Sequence, residues 1–120
     1  MILADTSVWV EHFRHGSARL AELLVDGQIA CHPFVIGELA CGTLRHRDEI
    51  LDGMAALRAL TVVDHDEALG FVDTHKLAGR GLGWIDVNLL ASVVVSGATI
   101  WTLDRALAEA AARLSVQAPR

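Results

Sequence analysis

The stretch Met1-Ile-Leu-Ala-Asp5-Thr-Ser-Val-Trp-Val10 decides the fold. Its apolar opening, Met1–Ala4, is too short for a helix and reads as a brief buried strand. It runs directly into Asp5, after which Thr6 or Ser7 can cap a helix reaching to about Arg14. The same join returns near the other end of the chain. There Thr99-Ile-Trp-Thr-Leu leads into Asp104, followed by an alanine-rich helical stretch to Leu114. Two apolar strands that each end on a carboxylate and pass straight into a helix point to alternating strands and helices.

The sequence between them keeps that alternation. Ser17 caps a helix over Ala18–Val25, Asp26-Gly27 turns, and Gln28–Cys31 forms a second strand. Pro33 opens a helix over Phe34–Leu44, because proline is tolerated in a first turn. Arg47–Leu60 is helical in pattern and leads to a strand at Thr61–Val63. A helix over Asp64–Ala78 precedes the loop Gly79-Arg-Gly-Leu-Gly83. Trp84–Ser96 is the most apolar helix and is closed by Gly97. Ala98–Leu103 forms a strand, and Ser115–Ala118 a last short one. Spacings this long exclude hairpins and imply a mainly parallel sheet covered on both faces, a three-layer α/β/α sandwich. Such sheets bind ligands beyond the carboxyl ends of their strands.

At 120 residues the chain is expected to form a single domain, 1–120, with a real core, and its 52% hydrophobic content argues against disorder. The apolar runs are too short and too often broken by charge to span a membrane. No basic leader precedes the first strand, so a cytoplasmic location is expected. Cys31 and Cys41 form no ligand pattern and read as reduced thiols. A net charge of −5 argues against a broad basic face for nucleic acid, although a cluster of acids at one site would account for much of it.

Four acids carry the chemistry: Asp5, Glu38, Asp86 and Asp104. Each interrupts an apolar stretch near a strand–helix junction. Asp5 and Asp104 fall on one edge of the sheet, and Glu38 and Asp86 lie early in helices that start from an edge. Carboxylates brought together need a cation, and oxygen-only ligation points to Mg²⁺, with Mn²⁺ able to substitute, rather than Zn²⁺. Each acid also has a plain structural alternative. Asp5 and Asp104 suit helix caps, Asp86 suits the positive end of its helix, and Glu38 could sit on the surface. The six histidines show no zinc spacing on a common helical face. Lys76 and Arg80 flank the glycine loop, either as ordinary surface charge or as phosphate contacts at the rim of an acidic pocket.

Taken in order, Leu3-Ala-Asp5-Thr-Ser-Val-Trp-Val, Gly37-Glu38-Leu, Gly81-Leu-Gly-Trp-Ile-Asp86-Val-Asn-Leu-Leu-Ala-Ser and Trp101-Thr-Leu-Asp104-Arg resemble a PIN-domain ribonuclease, most closely the VapC toxins of bacterial toxin–antitoxin pairs. The resemblance covers nearly the whole chain. It implies a PIN-like α/β/α fold, a homodimer, Mg²⁺-dependent endonucleolytic cleavage of RNA, and inhibition by a VapB-type antitoxin. It also implies Asp5, Glu38, Asp86 and Asp104 as the catalytic acids. Asp5 and Asp86 are expected as direct metal ligands, and Thr6 or Ser7 as the hydroxyl beside the first aspartate. Arg105 stands where the family often has a further acid. A Mg²⁺-dependent phosphatase or receiver-like domain is the rival reading, since an aspartate at a strand end also suits phosphoryl transfer. A binding module without catalysis is a second rival, and both stand below the nuclease.

Overall fold

The computed structural model describes residues 1–119. It contains β1 (Ile2–Ala4), α1 (Thr6–His15), α2 (Ala18–Val25), β2 (Ile29–Cys31), α3 (Pro33–Ala40), α4 (Arg47–Ala55), β3 (Arg58–Ala59), α5 (His65–Thr74), α6 (Trp84–Ser96), β4 (Thr99–Trp101) and α7 (Arg105–Arg113). The four strands form one parallel sheet in the order β3-β2-β1-β4. The chain steps outward from β1 to β3, then returns past β1 to lay down β4. Right-handed crossovers in these two directions put helices on opposite faces, which is the expected α/β/α sandwich. The direction reverses between β1 and β4, so the switch point lies between their carboxyl ends.

The strands are short because each is needed only to cross the core. Leu3, Ala4, Ala30 and Ile100 are buried in the sheet, and Leu20, Val35, Leu89, Leu90, Val93 and Leu107 pack onto it. The apolar expectation for α6 holds: every residue from Val87 to Val93 is buried. Gly97 closes that helix at φ 65°, a left-handed conformation that glycine adopts without a Cβ penalty. Ala98 N–H then donates to the Val93 carbonyl at 3.0 Å.

Several boundaries differ from the sequence reading. The edge strand is Arg58–Ala59, not Thr61–Val63. Pairing with β2 sets its position: Ala30 opposes Arg58, Cys31 opposes Ala59, and Leu60 N–H extends the ladder to the Cys31 carbonyl at 3.0 Å. This pulls α4 back to Ala55, although Val63 stays buried beyond the strand. α3 stops at Ala40 rather than Leu44, and α5 at Thr74 rather than Ala78. Ser115–Ala118 contributes one parallel bridge, between Ile100 and Gln117, and not a full strand. Among the described residues no helix is long and apolar enough to cross a membrane.

His32 is fully buried and caps α3 in place of the usual small polar residue. Phe34 N–H donates to its Nδ1 at 2.9 Å, and its Nε2 lies 3.1 Å from Ser92 Oγ on α6. Because Nδ1 accepts, the neutral ring carries its proton on Nε2 and donates it to Ser92. The contact therefore ties α3, which bears Glu38, to α6, which bears Asp86. Burial pushes the His32 pKa down from its ordinary 6.5. The folded protein then binds fewer protons than the unfolded chain below that value, so stability is full above it and declines as pH falls. Melting temperature is expected to drop on acidification below about pH 6.5. His32→Asn keeps a cap acceptor and should flatten that drop while costing roughly 1 kcal/mol at neutral pH. An equally steep acid loss in the variant would assign it to another group.

Candidate metal and catalytic site

The site grows from the end of β1. Asp5 is the N-cap of α1: its Oδ1 accepts Val8 N–H at 3.2 Å and the Ser7 hydroxyl at 2.5 Å. The sequence reading offered the cap to Thr6 or Ser7 and, alternatively, to Asp5; the structure gives it to Asp5, and both hydroxyls are used otherwise. Ser7 Oγ donates to Asp5 and accepts Leu103 N–H at 2.9 Å. Thr6 Oγ1 donates to Glu38 Oε1 at 2.6 Å. The second oxygen of Asp5 accepts the hydroxyl of Thr102, whose Oγ1 in turn accepts Asp104 N–H at 3.0 Å. Asp5 N–H donates to the Trp101 carbonyl at 3.0 Å. The ends of β1 and β4 are thus stitched together through one carboxylate and two hydroxyls.

Asp104 caps α7, accepting Leu107 N–H at 2.9 Å on Oδ2. Asp86 lies in the first turn of α6 and accepts Gly83 N–H at 3.1 Å, reaching back over the helix start. The cap and helix-end readings of these three aspartates are correct, and they do not compete with a site. Each carboxylate uses part of its acceptor capacity to hold a helix and keeps the remainder for a ligand.

The charges of Asp5 and Asp104 are felt at Asp86. Burial pushes the Asp5 carboxyl above its ordinary 3.8, outweighing the opposing hydrogen bonds from Ser7, Thr102 and Val8. Asp86 is also raised, first by burial and then by the negative charges of Asp104 and Asp5, against the bond from Gly83. The ion pairs among the described residues are His15–Glu11, Arg47–Asp48 and Arg105–Glu109. None involves a site acid, and Arg105 turns along its own helix to Glu109 at 3.1 Å. Among the described residues, the protein supplies no cation to these carboxylates.

Glu38 lies near the end of α3 rather than early in it, because the helix stops at Ala40; it is exposed, and its hydrogen bond is to Thr6, the residue after Asp5. Among the described residues no group of three or more His, Cys, Asp or Glu side chains is placed to hold a metal ion by itself. The donors nevertheless suit Mg²⁺, which retains several waters and takes one or two carboxylates rather than a full protein cage. Every donor is a hard oxygen and the local charge is uncompensated, so the residues fit a hydrated divalent ion.

Lys76 and Arg80 make no polar contact with the acids. Arg80 Nε donates to the Lys76 carbonyl at 2.9 Å and lines a shallow depression with Glu109 and Arg113. Thr102 escaped the sequence reading. Its only signal was a hydroxyl two residues before Asp104 on the edge that carries Ser7.

The family model of the PIN domain matches residues 2–113. Ribonuclease VapC32 of Mycobacterium tuberculosis, in strains CDC 1551 / Oshkosh and ATCC 25618 / H37Rv, is 53% identical over 117 residues, covering 97% of the chain and 94% of that relative. The crystal structure of PAE2754 from Pyrobaculum aerophilum superposes with a TM-score of 0.66 over 97% of the chain and 96% of its own, at 19% identity, a likeness of fold. With a family match that spans both strand–aspartate junctions, the chain belongs to the PIN-domain family, among its VapC-type members.

Proposed function

We propose that the chain is a Mg²⁺-dependent endoribonuclease that acts as the toxin of a VapBC-type pair. The observation that carries this is the placement of Asp5, Asp86 and Asp104 at the switch point of the sheet, where the charges of Asp104 and Asp5 bear on Asp86 and no ion pair among the described residues involves any of the three. The name of the Mycobacterium tuberculosis relative, a VapC ribonuclease, supports the substrate class and reaction. The same reading gives the protein RNA as substrate, a VapB-type antitoxin as partner and the cytoplasm as its place of work. A homodimer accords with the exposed apolar residues Val62, Leu69, Val94 and Val95.

In this reading Asp5 and Asp86 hold the ion, with Mn²⁺ able to substitute. A divalent ion held there would supply Lewis acidity and positive charge for attack of water on a phosphodiester. The chain's own groups do the rest. Ser7 and Thr102 fix the Asp5 carboxylate from two sides, so its orientation does not depend on the ion. Thr6 holds one Glu38 oxygen, leaving the other to orient the attacking water and take its proton. Asp104, exposed and already bound to Leu107 N–H, supports the ion from outside its direct contacts. The rival phosphatase reading requires release of phosphate from a small phosphomonoester without RNA cutting.

RNA cleavage should need Mg²⁺ or Mn²⁺ and fail with Zn²⁺; full cutting in excess chelator would sink the metal mechanism. Asp5→Asn and Asp86→Asn should each abolish cleavage, and Asp104→Asn should leave measurable activity. Equal loss in all three would contradict the ranking of ligands. Thr102→Val keeps shape but removes the hydroxyl that Asp5 and Asp104 share. A loss of about tenfold or more in activity is expected, recovered in part by Thr102→Ser. Wild-type activity in Thr102→Val would show that the hydroxyl positions nothing.

A further inference from the structure

A cleft of about 690 Å³ opens beside Glu38, between α1, α3 and the start of α4. Thr6 and Glu38 form the end nearest the carboxylates, the half-buried Phe13 lines the cleft, and Arg14 and Arg45 lie along it. Like most of the basic side chains, Arg14 and Arg45 have no ion-pair partner among the described residues; what sets them apart is that both line one cleft beside the acids. Among the described residues neither gives its guanidinium a hydrogen bond, which holds also for Arg58 and Arg113, whereas Arg19, Arg47, Arg80 and Arg105 each donate one.

The volume falls within the range of roughly 300–1,000 Å³ typical of ligand sites. Its combination of an aromatic side chain and unpaired cations matches what a single-stranded nucleotide presents, a base with a π-face and an anionic phosphate. The acids at its inner end would repel a phosphate, so the positive charge must come from the arginines and the bound ion. The short α3 creates this space. Gly42 follows it without a side chain, so a Cβ there would meet nothing closer than the Leu39 carbonyl at 3.6 Å.

Resting on the endoribonuclease reading, we propose that this cleft is a nucleotide subsite. It receives the unpaired RNA next to the scissile phosphate, with a base against the Phe13 side of the cleft and backbone phosphate on Arg14 and Arg45. The occupant is single-stranded, since only unpaired bases are free to enter a side cleft. The Thr6–Glu38 hydrogen bond lies where the cleft meets the acids, so a nucleotide seated there would bring its neighbouring phosphate to them.

The test uses one short single-stranded RNA of mixed sequence and three variants: Arg14→Ala with Arg45→Ala together, Gly42→Phe to fill the cleft, and Arg58→Ala as a charge control on the opposite sheet edge, beside Met1 and Gly97. The double variant should raise KM about tenfold or more with kcat held, and lower the salt slope of RNA binding by about 0.7 for each phosphate no longer neutralised. Gly42→Phe should raise KM without changing the salt slope, and Arg58→Ala should behave as wild type. Unchanged KM and salt slope in the first two variants, with wild type cutting RNA, would overturn the subsite and leave the cleft to a polypeptide. A rise in KM for Arg58→Ala equal to that of the double variant would also overturn it, by showing a general charge effect. Anisotropy of the same RNA in chelator separates this from the nuclease reading. Binding that weakens in the double variant, in a wild type that cuts nothing with Mg²⁺, would sink only the reaction.

Discussion

Uncompensated negative charge at the junction of β1 and β4 is the constraint around which this structure is arranged. Like charges a few ångströms apart cost on the order of 1 kcal/mol or more at an intermediate dielectric. The fold offsets that cost locally. Asp5 and Asp104 cap α1 and α7, and Asp86 reaches back over the start of α6. A cap contributes typically about 1 kcal/mol, the same order as the repulsion. Each acid is therefore held in place by a helix end that needs it. In the proposed nuclease structural and functional roles would coincide in these side chains, so a capping role is no argument against catalysis.

Support for the cluster extends inward and sideways. Ser7 and Thr102 join the two central strands through Asp5, while the buried His32–Ser92 contact joins the helices that carry Glu38 and Asp86. These links span separations of 97 and 60 residues in sequence or close a tight local turn. They place the acids on elements whose own positions are fixed by the core, as a preorganised site requires.

The strand–aspartate–helix joins, the parallel sheet and the capped helices were legible in the sequence, because apolar run length and capping chemistry are local signals. The acidic residues at the switch point followed from the same logic. What escaped depended on partners far along the chain. Thr61–Val63 has the β-branched residues a strand favours, yet register with Ala30 and Cys31 set the pairing at Arg58–Ala59. Thr6 and Ser7 looked like caps because hydroxyls usually serve there, but Glu38 and Asp5 claim them. Thr102 could be recognised only once β4 lay beside β1. The cleft depends on α3 stopping at Ala40, and a helix read through to Leu44 conceals it.

The central claim is that Asp86 sits in a field of like charge that a divalent ion relieves. Thermal unfolding of wild type and Asp86→Asn, each in chelator and in Mg²⁺, tests it most directly. Asparagine keeps an acceptor for Gly83 N–H while removing the charge. The account predicts that Asp86→Asn melts at or above wild type in chelator, and that Mg²⁺ stabilises wild type far more than the variant. A clearly lower melting temperature for Asp86→Asn in chelator, or an equal Mg²⁺ gain in both proteins, would contradict it.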